Sequence, residues 1–66
     1  MRTELKVLRV KNNLTQQEAA EKLGVSVSTY NLIENGNRDG SKAFWQGVQA
    51  VFELEDGQVW QLMQNK

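Results

Sequence analysis

Amides, hydroxyls and a handful of cations are the side chains with which this chain could do chemistry. Its 66 residues include no cysteine and no histidine, which removes disulfide stapling, the common zinc sites and the usual members of a nucleophile–base dyad. No catalytic constellation, metal site or cofactor is expected. The polar groups that remain are bunched: Gln16 and Gln17, then Ser26, Ser28, Thr29 and Asn31, then Asn35, Asn37, Arg38 and Lys42. Such groups act by hydrogen bonding and by pairing with anions, so the chemistry to look for is binding and not a reaction.

Backbone signals around these residues say how they are held. Thr15 with Glu18 three residues later is a capping box, in which each side chain satisfies a backbone N–H that the first helical turn leaves unpaired. This predicts a helix from about Gln16. Gly24 follows Leu23 where a left-handed residue closes a helix, a conformation that costs glycine little and other residues about 1 kcal/mol or more. Ser26 caps a second helix with Tyr30 and Ile33 on one face, and Asn35-Gly36 closes it. Two short helices joined by a glycine turn make a helix-turn-helix, with Ala20 at the crossing point because only a small side chain permits close approach. Val25, Tyr30 and Ile33 then point inward, leaving Val27, Ser28, Thr29, Asn31 and Leu32 to the outer and flanking faces. Helices this short bury little alone and need others around them.

The rest of the chain predicts three more helices and no strand. The first runs from Arg2 or Thr3 to Asn12, with Leu5 and Leu8 on one face, and Leu14 packs ahead of the Thr15 cap as a hydrophobic staple. After a polar loop from Asn35 to Gly40, Ser41 caps a fourth helix that continues to about Phe52. Phe44, Trp45, Val48, Val51 and Phe52 form an apolar stripe suited to covering the motif from behind, and Gly47 within it costs about 1 kcal/mol relative to alanine. Asp56 opens a last short helix carrying Val59, Trp60, Leu62 and Met63, more apolar surface than one buried face requires. Trp60 is therefore either core or part of a partner surface. The expected fold is all-α, a five-helix domain spanning residues 1–66, of a size that buries only about 60% of its unfolded surface. The initial Met1 and the short polar tail Gln64-Asn65-Lys66 suggest a whole chain, with a fragment of a longer regulator as the alternative. No apolar leader and no run of about eighteen apolar residues appears, so a cytoplasmic location without membrane contact is expected.

LTQQEAAEKLGVS at Leu14–Ser26 and IENGNR at Ile33–Arg38 resemble, almost position for position, the Cro/repressor-type helix-turn-helix proteins of phages and bacteria, also called the lambda-repressor-like or XRE family. The resemblance runs from about Leu5 to Leu54. It implies a lambda-repressor-like fold and a sequence-specific DNA-binding transcriptional regulator. By that resemblance Gln16, with Gln17 beside it, holds a DNA phosphate at a helix N-terminus, where free N–H groups and the helix dipole favour an anion. Val27, Ser28 and Leu32 match base-reading positions, flanked by Ser26, Thr29 and Asn31. An aliphatic edge touches only a thymine methyl group, Ser28 suits several base edges, and Asn31 alone has the paired donor and acceptor for adenine. Direct readout is therefore expected to be sparse and supplemented by DNA shape.

The family often has a basic or amide side chain where Val27 stands. Asn35, Asn37, Arg38 and Lys42 match loop positions that approach the sugar-phosphate backbone, and Arg9 and Glu34 match a structural pair linking the first helix to the end of the recognition helix. Ala19 stands where leucine is usual and Tyr30 where a smaller aliphatic is common, an exchange in which the ring refills the space. In several relatives the last helix mediates dimer contact, which makes Val59, Trp60 and Met63 a possible dimer interface. A symmetric dimer spaces its recognition helices about 34 Å apart and calls for a palindromic operator.

Charge sharpens this expectation. Eight basic and eight acidic residues cancel, whereas nucleic-acid binders usually carry a basic surplus. The bias is local: Arg38 and Lys42 flank the loop, and Glu53, Glu55 and Asp56 gather late. The leading expectation is a small phage- or prophage-type regulator acting as a homodimer on double-stranded operator DNA, with no small-molecule ligand evident. The alternative is a protein-interaction or antitoxin-like module using the same fold as a scaffold, which the zero net charge and the aliphatic recognition residues favour.

Overall fold

Local capping chemistry decides where each helix begins. In the computed structural model, which describes residues 1–65, the Thr15 hydroxyl accepts from the Glu18 backbone at 3.1 Å while the Glu18 carboxylate accepts from the Thr15 backbone at 2.9 Å. Helix α2 (Gln16–Leu23) follows directly and ends at Gly24, whose φ of +72° makes the left-handed close. Ser26 accepts from Thr29 at 3.1 Å to start α3 (Val27–Glu34), and Ser41 accepts from Phe44 at 3.1 Å to start α4 (Lys42–Phe52). These are the caps the residue types demand. Lys66, the end of the polar tail, lies outside the described residues.

The outer helices use less obvious devices. Helix α1 (Thr3–Lys11) is closed by the Asn12 side chain, which donates to the Leu8 carbonyl at 2.8 Å, and by Asn13 at φ +59°. Asparagine tolerates that region better than most residues. Helix α5 (Asp56–Gln64) starts where the Glu55 backbone donates to the Gln58 side chain at 2.8 Å. All five elements are α-helices, and no strand occurs among the described residues. None is long and apolar enough to cross a membrane.

The helices close around one cluster of Leu5, Ala19, Ala20, Tyr30, Ile33, Phe44, Trp45, Val48, Val59 and Leu62. Helix α2 packs on α3 and α4, α4 on α5, and α1 on α3. Ala20 is fully buried, as its small size at the crossing requires, and Ala19 lies equally deep in the cluster that holds the Tyr30 ring. Phe44 stands edge-on to Trp45, with ring centroids 5.0 Å apart, and Tyr30 tilts against Phe44 at 6.2 Å. Such pairings suit the ring quadrupoles better than a face-to-face sandwich. Val51 departs from the expected α4 stripe: it is exposed, while Phe52 beside it in the last turn packs against the core.

Candidate nucleic-acid interface

Helix α3 has two unlike faces. Tyr30, Ile33 and Glu34 are buried against the rest of the domain, whereas Val27 is 44% exposed and Leu32 40%. With Ser28 and Asn31 these two aliphatics line a shallow concavity of about 390 Å³. Thr29, half-buried, accepts from the Ser26 hydroxyl at 3.0 Å. Gln17 at the start of α2, Asn35 and Asn37 after α3, and Arg38 and Lys42 around the loop are all exposed. Every polar or aliphatic candidate therefore lies on α3 or its Ser26 cap, at the start of α2, or in or just beyond the loop that follows α3.

Beneath this surface runs a polar interior. Arg9 Nε donates to Glu34 Oε2 at 3.0 Å and Nη2 to Oε1 at 3.4 Å, while Nη1 donates to the Leu14 carbonyl at 2.8 Å. Glu34 is 1% exposed, and a carboxylate so deep persists only when paired and hydrogen-bonded. Gln16 supplies the next bond, its Nε2 donating to Glu34 Oε1 at 3.2 Å. Asn31 Nδ2 in turn donates to Gln16 Oε1 at 3.1 Å, and Asn35 Nδ2 to Asn31 Oδ1 at 2.9 Å. Gln16 and Asn31 thus meet inside the motif, across the α2–α3 junction.

The ionisation of this network follows its geometry. Burial alone raises the Glu34 pKa, but hydrogen bonds from Arg9 and Gln16 together with the Arg9 charge hold it below the ordinary 4.5. The hydrogen bond to Glu34 raises Arg9 correspondingly. The Tyr30 hydroxyl lies beside the pair, near enough to add to the same shift, yet it is buried without a hydrogen-bond partner in good geometry. Burial first, and the neighbouring carboxylate second, push its own pKa up.

A second polar knot escapes the sequence reading altogether. Arg2, only 1% exposed, donates through Nη1 to the Ile33 carbonyl at 2.6 Å and to the Arg38 carbonyl at 2.9 Å, and its Nη2 lies 3.7 Å from Asp39 Oδ1. Its guanidinium carbon sits 5.3 Å from the Trp45 ring centroid, and the Trp45 indole donates to the Asp39 carbonyl at 2.9 Å. The Arg2 backbone N–H adds a bond to the Glu34 carbonyl at 2.8 Å. A cation at the C-terminal carbonyls of α3 is favoured by the helix dipole, and here it also pins the loop that carries Asn37 and Arg38. No periodicity marks Arg2, because an arginine beside the initial Met looks like surface charge.

On α5 the three candidates for a partner surface separate. Val59 is core and Met63 packs partly against the core, whereas Trp60 is 60% exposed. The expectation for Val59 is corrected: it fills the interior between α5 and its neighbours and has little surface to give. A cleft of about 360 Å³ opens between α1 and α5, with Val7, Leu8, Leu54 and Leu62 on its walls and Glu4 and Lys11 at its margins.

One short helix locked inward on one side and bare on the other, held across a glycine turn by its predecessor, defines a helix-turn-helix domain. The family model for helix-turn-helix proteins matches residues 5–41, and the chain belongs to that family, in its Cro/repressor-type branch. It is 39% identical, over 85% of its length, to an uncharacterized HTH-type transcriptional regulator of Methanocaldococcus jannaschii, covering 97% of that protein. It is 29% identical over 92% of its length to an uncharacterized HTH-type transcriptional regulator of Archaeoglobus fulgidus, again covering 97% of the relative. No solved structure matches at comparable stringency.

Proposed function

We propose that this protein is a sequence-specific transcriptional regulator that lays α3 in the major groove of operator DNA. The observation that carries the reading is the bare outer face of α3, with Val27, Ser28 and Leu32 unpacked while Tyr30, Ile33 and Glu34 anchor the opposite side. Gln16 and Gln17 on one flank, and Asn35, Asn37, Arg38 and Lys42 on the other, would hold phosphates and set the register, with Ser26 and Thr29 fixing the start of the reading helix. The names of the two archaeal relatives support a role in transcription. A phage- or prophage-type setting and a cytoplasmic place of action are part of the same proposal.

The proposal includes a homodimer on a palindromic site, supported by Trp60, a large apolar side chain left in water on α5. Two recognition helices one DNA turn apart compensate for weak binding by each. Selection from pooled random duplexes at low and moderate salt tests the reading, with Gln16→Ala and Ser28→Ala as comparisons. An enriched palindrome is expected, with log affinity falling against log salt at a slope of roughly −2 to −4 per subunit. No enrichment at micromolar protein sinks the regulator reading. Sedimentation of wild type and Trp60→Ala tests the dimer, and a monomer at every concentration removes it. The second reading, a protein-interaction module, draws on the apolar α1–α5 cleft and the balanced charge. A flat selection combined with retained folding is the result that favours it.

A further inference from the structure

The amides under the recognition helix form a chain with a fixed direction. Buried Glu34, ionised beside Arg9, only accepts hydrogen bonds, so Gln16 must turn its NH2 group inward, 3.2 Å from Oε1. That leaves the Gln16 oxygen facing Asn31, which must donate to it at 3.1 Å, and the Asn31 oxygen is taken by Asn35 at 2.9 Å. The carboxylate thereby dictates the orientation of three side-chain amides. A bidentate grip on adenine needs the oxygen and the NH2 of one amide aimed together at the base edge. Asn31 has both ends committed sideways instead, one to Gln16 and the other to Asn35. Val27 and Leu32, in contrast, stand open beside the concavity of α3.

We propose that Asn31 is a positioning residue that holds Gln16 for the DNA backbone, and that base discrimination by α3 rests on contact of Val27 and Leu32 with thymine methyl groups. The inference rests on the DNA-binding reading above. Gln16, held by Asn31, makes one inward bond through its NH2 and keeps a second N–H, which serves a phosphate oxygen whatever the sequence. The aliphatic edges carry the sequence information, because a thymine methyl is the only feature of the major groove that an aliphatic side chain distinguishes.

The test uses the wild-type protein, Asn31→Ala, Gln16→Ala and the double variant against the duplex enriched by selection and a scrambled duplex. A second arm gives the wild type duplexes in which single thymines are replaced by deoxyuridine, which removes the methyl and leaves every hydrogen-bonding edge intact. Asn31→Ala is expected to weaken both duplexes by the same factor, about 2- to 12-fold for one lost hydrogen bond, and to add nothing in the Gln16→Ala background. The Gln16 side-chain NH2 resonances of the free protein should move in Asn31→Ala. Deoxyuridine should weaken wild-type binding about fourfold at each thymine whose methyl is buried. A changed base preference in Asn31→Ala, multiplying effects of the two substitutions, or indifference to every deoxyuridine overturns the inference while leaving the DNA-binding reading intact. Failure of the wild type to bind any duplex overturns both. The deoxyuridine arm involves no variant protein, so it stands even if Asn31→Ala unfolds.

Discussion

The interior has two halves built on different principles. Around α4 and α5 it is apolar, with Phe44, Trp45, Val48, Val59 and Leu62 held by area removed from water. Beneath α3 it is ionic and amide-rich, with Arg9, Glu34, Gln16 and Asn31 joined bond by bond. Apolar contact is non-directional and tolerates exchange of similar volumes. A buried ion pair adds little net stability but is costly to leave half-made. The domain thus places its most exacting interactions directly under the helix that would read DNA and leaves the forgiving ones behind it.

The sharpest way to break this contrast is to remove one member of the pair. Glu34→Leu or Arg9→Leu alone is expected to cost about 3–5 kcal/mol in urea denaturation, because the partner is left buried and uncompensated. The double substitution should cost less than either single one, and simple addition would sink the argument. Next comes Arg2→Ala, expected to cost about 2–4 kcal/mol by stranding the Ile33 and Arg38 carbonyls and opening space against Trp45. Thermal melting followed by tryptophan fluorescence reads it.

Gly40→Ala follows at about 1–3 kcal/mol. Its φ is +80° and a Cβ there would come within 2.9 Å of the Trp45 indole nitrogen, so both strain and crowding oppose the methyl. Acid reads the ionic half without mutation. The folded pKa of Glu34 lies below 4.5, so its contribution is complete above the unfolded value and is lost as pH falls through the lowered folded value. Stability profiles of wild type and Glu34→Gln should therefore converge at low pH; parallel curves there would refute the coupling. The smallest effect has the opposite sign. A Cβ on Gly47 would meet only the end of the Leu23 side chain, at 3.4 Å, so Gly47→Ala should stabilise by up to about 1 kcal/mol.

How much was legible in the sequence follows the same division. Thr15–Glu18, Gly24, Ser26 and Ser41 mark helix ends by local chemistry, and the apolar spacing of α4 marks its buried face, since both signals lie within a few residues. Only family resemblance, and no local signal, links Arg9 to Glu34 in the sequence. The bonds from Gln16 to Glu34 and to Asn31 span 18 and 15 residues, and nothing in an amide's neighbours announces a partner so far away. Arg2 was invisible for the same reason. Spacing alone does not assign Trp60 to core or surface, because α5 carries apolar residues on more than one side and only packing decides which are covered.

The grip of Arg2 also orders events in time. The carbonyls it binds lie 31 and 36 positions later in the sequence. Capped turns such as Thr15–Glu18 can form as soon as they exist, whereas this clasp must wait until α1, α2, α3 and the loop beyond them have been made, and must close all of them into one ring. The loop that carries Arg38 and the end of the recognition helix are therefore fastened by a long-range contact from the residue just ahead of α1.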